Sequence, residues 1–127
     1  MQTNHSMLGR IRLELARTPN FPGGSSQHGY DLIAPLNVDG HVDIEAWRHD
    51  RALCKVTRFG GATPEEHGQP VHRHGVWGFE YGKYNDEEEL FFNLDRHAVA
   101  PGSYVTLTER DGNQYPFRVI EVTPAVP

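Results

Sequence analysis

His72 and His74 stand two residues apart in "VHRHGVWGFEY", residues 71–81. In an extended strand that spacing projects both imidazoles from one face, as a metal ion requires of two ligands drawn from a single strand. A site needs a third and usually a fourth donor, and by residue type Glu80, His67 and His97 are the candidates. The chemistry would be that of a divalent transition metal activating water or dioxygen, with Glu80 as ligand or general base. If residues 72–80 run as one strand, however, Glu80 lies about 20 Å from His74 at about 3.3 Å per residue, too far to share an ion. A reverse turn at Gly75 or Gly78 would rescue the set. The shared parity of Trp77, Phe79 and Tyr81 argues against one. It predicts a continuous strand with those rings in the core and His72, His74, Val76 and Glu80 on a polar outer face.

Other residues invite chemistry and have plainer accounts. Cys54 shares parity with Val56, which predicts a buried, inert thiol rather than a thiolate nucleophile beside His49. Ser25, Ser26 and His28 could be drawn as nucleophile and base, but nothing in the sequence supplies an orienting acid or an oxyanion hole. The four carboxylates of "DEEE", residues 86–89, lack the alternation and the glycine of a calcium loop and read as a solvated hairpin tip.

The elements that must position these residues are short. In "RIRLELAR", Ile11, Leu13 and Leu15 alternate with Arg12, Glu14 and Ala16, the period of a half-buried strand. "TPNFPGGSSQHG", residues 18–29, is a long Pro/Gly/Ser loop, of a length that is often functional or mobile. "YDLIAPL" is a second strand that closes on the turn "VDG". Asp43 caps a helix of about two turns, on which Ile44, Trp47 and Arg51 share a face, before "LCKVTRF" resumes strand pattern. "GGATPEEHGQP" reads as another loop, followed by the aromatic strand, the polar turn "GKYNDEEE" and "ELFFNL". A hairpin formed by "PGSYVTLTE" and "YPFRVIEV" around "RDGNQ" ends the chain. The expectation is mainly β: a small, antiparallel, partly open barrel of about six short strands with one short helix. Residues 1–9 are expected to be a flexible N-terminus, 10–124 one domain and 125–127 a tail.

"GHVDIEAWRHDRALCKVTRF", the "VHR…W.FEY" segment and "HAVAPGSYVTLTERDGNQYPFRVIEV" together resemble a family of small, uncharacterised bacterial proteins. The resemblance spans roughly residues 10–124; it implies one compact domain and supplies no site. "HRHGVWGFE" with the distant His97 also resembles a cupin metal motif. Glu80 follows His74 after too many residues, Gly68 stands too close, and His97 precedes its "PG", so each carried-over ligand departs from that pattern.

Composition limits the function classes. At 127 residues and 37% apolar, the chain can bury a core as one domain. A single cysteine excludes an internal disulfide framework, and with no apolar h-region at the N-terminus a cytoplasmic protein is expected. Net charge is −5, carried by the second half: residues 1–64 hold seven Lys/Arg against six Asp/Glu, and residues 65–127 hold five against eleven. That balance disfavours nucleic acid, and no apolar run is long enough for a membrane span. The reading that remains is a binding or protein-interaction module without catalysis or cofactor, meeting a protein or small molecule through aromatics such as Trp77, Tyr81, Tyr84 and Phe91, with a homodimer as one candidate assembly. The alternative is a metal-dependent, cupin-like enzyme built on His72, His74, Glu80 and His97.

Overall fold

The computed structural model describes residues 7–60, 65–73, 76–81, 89–91, 98–109 and 112–125. Among these, eight strands follow one another around a barrel: β1 (Met7–Leu15), β2 (Ser25–Leu36), β3 (Lys55–Phe59), β4 (Glu66–Arg73), β5 (Val76–Tyr81), β6 (Glu89–Phe91), β7 (Tyr104–Thr108) and β8 (Gln114–Pro124). Each pairs antiparallel with the next, and β8 pairs back onto β1, from Gly9 opposite Pro124 to Leu15 opposite Phe117. Among the described residues, β6 meets β7 at Leu90–Thr108 and Phe91–Leu107. No helix among the described residues is long and apolar enough to cross a membrane.

The expected antiparallel barrel with one short helix is the architecture that forms, with eight strands in place of about six. β1 starts at Met7, so Met7–Gly9 belong to the barrel rather than to the expected flexible N-terminus. Two further differences lie in β4 and β5. β4 reaches back into the expected 60–70 loop because Gly68 and His67 pair with Val56 and Thr57 of β3. The aromatic segment is not one strand: Arg73 pairs with Val76, so the chain reverses between them, and the continuous strand expected over 72–80 does not exist. The alternation of Trp77, Phe79 and Tyr81 is real, but it starts only after the reversal.

The interior is filled by the alternating apolar rows. Ile11, Leu13, Tyr30, Leu32, Val56, Trp77, Phe79, Leu107, Phe117 and Val119 are all buried. Tyr30 packs edge-on against Phe117 at 5.1 Å between centroids and leans on Phe79 at 5.5 Å. α1 (Ile44–His49) closes one end. Asp43 caps it by accepting the Ala46 N–H at 3.1 Å, and Trp47 drops its ring against Trp77 at 5.2 Å. The Trp47 Nε1–H donates to the Pro70 carbonyl at 3.1 Å, and Arg51, in the 3-10 turn after the helix, stacks over the same indole at 4.3 Å. The polar atom of a buried indole is thereby satisfied while its rings plug the barrel.

At the opposite end β2 departs from the ladder. Glu14 pairs with Gly29, but the next partner of β1, Leu15, pairs with Ser25, so Ser26, Gln27 and His28 form an outward excursion of the strand. The residues expected as a loop over 18–29 are thus divided: Ser25–Gly29 are strand, and the remainder is a closed turn in which Thr18 and Phe21 exchange backbone hydrogen bonds at 3.0 Å each. Gly60 anchors this end. Its φ is +86°, and a Cβ there would stand 1.7 Å from the Gln27 carbonyl oxygen. Gly60→Ala should therefore lower the stability to urea by more than about 2 kcal/mol, through left-handed strain and the backbone clash together. An unchanged midpoint would show that the excursion does not depend on that close approach.

Candidate binding site

The inward row of the open end is polar. Tyr30 pairs with Arg58, and Arg58 with Glu66, so these three side chains share a face with the core residues below them. Glu109 follows Leu107 on the inward parity of β7 and is buried, 6% exposed. Tyr30 donates its hydroxyl to Glu109 Oε2. His28 Nε2 lies 3.2 Å from the same oxygen and must carry the proton, because a carboxylate only accepts. The Arg58 guanidinium is 3.7 Å from Oε1. Phe117 and Tyr115 flank the imidazole at 5.7 and 6.3 Å between centroids.

Burial alone would push the Glu109 carboxyl up. The hydrogen bonds from His28 and Tyr30 and the positive charge of Arg58 outweigh it and hold the group below its ordinary value of 4.5. Glu109 is the orienting acid for His28 that the sequence did not reveal. The arrangement fixes one imidazole, one phenol and one guanidinium around a single carboxylate, and that carboxylate is ionised at neutral pH.

The same excursion of β2 forms a second feature on the outside of the wall. Ser25, Ser26 and Gln27, with Gly23 and Gly24, overhang the outer face of β1 and β8 and enclose a cleft of about 900 Å³. Its floor and sides include Glu14, Ala16, Arg17, Pro116, Arg118, Ile120 and, from β7, Tyr104. Arg118 sits in register between Glu14 and Tyr104, which places the three side by side across the sheet. Gly24, at φ +71°, lets the returning chain close on β1, where a Cβ would meet the Leu15 carbonyl oxygen at 2.6 Å. The cleft therefore lies outside the barrel, and His28 ties its rim to the buried carboxylate within.

The structure places the sequence-derived candidates elsewhere. A two-residue reversal puts His72 directly opposite Trp77. Its ring accordingly turns to the aromatic plug, 4.8 Å from Trp77 and 6.2 Å from Trp47, not to the polar outer face expected of it. Glu80 is opposite Gln69, between the inward Phe79 and Tyr81, so it lies across the sheet from His72. Glu80 and His72 do not share a face, and His67 is exposed on the outer side beside Thr57. His74, Tyr84 and His97 lie outside the described residues. Among the described residues, no three His, Cys, Asp or Glu side chains gather to hold an ion. Trp77 and Tyr81, expected at a contact surface, are core residues at 0% and 7% exposure. Phe91 is in β6, in register with Trp77 and Leu107. Cys54 is fully buried, and desolvation with the nearby Asp50 pushes its thiol up to about 11, as the plainer account of that residue expects.

Glu109, Arg58 and Tyr30 are absent from the candidates drawn from the sequence, although parity carries a signal for each. They continue the inward rows of Leu107, Val56 and Leu32, and a charge on such a row is the signal that points to them. Because Glu109 is held ionised in the folded state, its contribution to stability is complete above the unfolded value of 4.5 and is lost as pH falls through the lower folded value. Glu109→Gln should cost about 3 kcal/mol at pH 7 by removing the charge that Tyr30 and His28 hydrogen-bond and that faces Arg58. It should also flatten the acid limb of stability; parallel urea titrations of both proteins at pH 7 and pH 3.5 measure the difference, and an equal acid loss in the variant would refute the assignment.

No protein family, curated protein or solved structure matches this chain.

Proposed function

We propose that this chain is a binding module without catalytic chemistry of its own, and that the cleft beneath the β2 excursion is its recognition surface. The observation that carries the reading is the cleft itself. Its volume of about 900 Å³ falls within the roughly 300–1,000 Å³ of small-molecule sites. Its walls combine exposed hydrocarbon, with Tyr104 at 64% and Ile120 at 40% exposure, with hydroxyl, amide and guanidinium groups. Support also comes from preorganisation. The rim is fixed by the Thr18–Phe21 turn, by Gln27 N–H donating to Ser25 Oγ at 3.1 Å, and by His28 on Glu109. A rim already held in place loses little conformational freedom when a ligand arrives.

A fragment screen by amide-resolved NMR tests this. The expected result is that shifts from the fragments that bind cluster at Ser25–Gln27, Tyr104, Arg118 and Ile120. Saturable binding confined to another face would move the site, and fragment turnover would replace the binding role with an enzymatic one.

A second reading, self-association, is favoured by a different patch. Met7 and Val38 are 64% and 79% exposed beside Leu36, Val99 and Val122, around an apolar hollow of about 380 Å³. Light scattering on an eluting column should then report a dimer that Val38→Asp converts to monomer. A monomer at millimolar concentration removes this reading.

A further inference from the structure

The cleft has an uneven charge for a protein of net charge −5. Among the described residues its one carboxylate, Glu14, is engaged: the Arg12 guanidinium donates from Nε to Glu14 Oε2 at 2.9 Å and from Nη1 to Asp31 at 3.3 Å, while stacking over Phe59 at 4.4 Å. Arg48 is likewise occupied by Glu45, Arg51 by Trp47 and Arg58 by Glu109. Arg17 and Arg118 are different. Both are exposed, both line the cleft, and neither pairs with any described residue. Arg10 shares that freedom but lies outside the cleft, farther along β1. Two guanidinium forks therefore face one hollow whose only acid among the described residues is already taken by Arg12, next to an exposed phenol ring and an isoleucine.

Resting on the binding role proposed above, we infer that the cleft takes a small organic anion, a planar or hydrocarbon body ending in a carboxylate or phosphate. Arg17 and Arg118 grip the oxyanion, and Tyr104 and Ile120 cover the body. A guanidinium presents its donors in a fixed fork that matches both oxyanions, and charge-assisted bonds of this kind are stronger than neutral ones. The hydroxyls of Ser25 and Ser26 and the amide of Gln27 stand on the opposite rim as further donors. The overhang of Gly23–Gln27 suits a compact ligand rather than an extended chain.

The test titrates the full chain with benzoate, phenyl phosphate, the neutral isostere benzamide and a hexaglutamate peptide, followed by amide shifts. At least one of the two small anions should bind in the cleft about tenfold more tightly than benzamide. Whichever of benzoate and phenyl phosphate binds more tightly identifies the oxyanion. Arg118→Ala and Arg17→Ala should each weaken that anion about tenfold and leave benzamide unchanged, with the remaining amide spectrum reporting an intact fold. Benzamide binding as tightly as benzoate and phenyl phosphate would overturn the anion assignment while leaving the binding role standing. Hexaglutamate outcompeting both small anions would overturn the small-ligand assignment in favour of an acidic peptide. Failure of every probe to perturb the cleft overturns the inference, and the fragment screen then decides separately whether the binding role survives.

Discussion

The return of β8 onto β1 is the constraint from which the other features follow. Once the ladder is closed, each strand has a neighbour on both sides, and every second side chain is committed to an interior of fixed width. An eight-stranded barrel of this size is about wide enough to be filled by its own residues. Here Tyr30, Trp77, Phe79 and Phe117 fill it. The two ends are finished differently. One is stoppered by the Trp47 indole on its helix; at the other the inward rows continue into Tyr30, Arg58, Glu66 and Glu109, and the buried Glu109 carboxylate engages Tyr30, Arg58 and His28.

With the interior filled, the cleft lies on the outside of the wall. The departure of Ser26, Gln27 and His28 from the β1 register is what makes an outside site. It sends one imidazole inward to the buried carboxylate and two polar residues outward over β8. Its placement depends on backbone approaches that only glycine permits: Gly29, where a Cβ would stand 1.9 Å from the Leu13 carbonyl oxygen, and Gly60 against Gln27. The rim of the cleft and the ionised carboxylate inside the barrel are thus held by the same few residues.

Much of the barrel could be read from the sequence because alternation is a local signal. Ile11, Leu13 and Leu15 specify the inward face of β1 without reference to any partner, and Asp43 and the Asp-Gly hairpin signal are equally local. Parity carries straight through the reversal between Arg73 and Val76 and so does not reveal it. Across a two-residue reversal the even residues of one strand face the odd residues of the next, which carries His72 to the same side as Trp77. The Glu109 cluster draws on β2, β3 and β7, residues far apart in the chain, and only the barrel's register brings them together. Its members could be flagged one by one as charges on inward rows, but their meeting could not. The cleft was least legible of all, since it depends on a register shift that no periodicity announces.

The pairing of β1 with β8 also fixes where neighbouring sequence must leave the fold. Gly9 faces Pro124, and the Ala125 N–H donates to the Leu8 carbonyl at 2.9 Å, so the polypeptide on either side of the barrel departs from one spot. Glu14, at the cleft, is five residues farther along β1, about 17 Å away at about 3.3 Å per residue. A tether or fused domain joined directly at Met7 or Ala125 would thus start at the stoppered pole, away from the arginine-lined hollow. For the same reason, a short bridge joining the two ends would let the strand order be reopened at another hairpin without disturbing the wall.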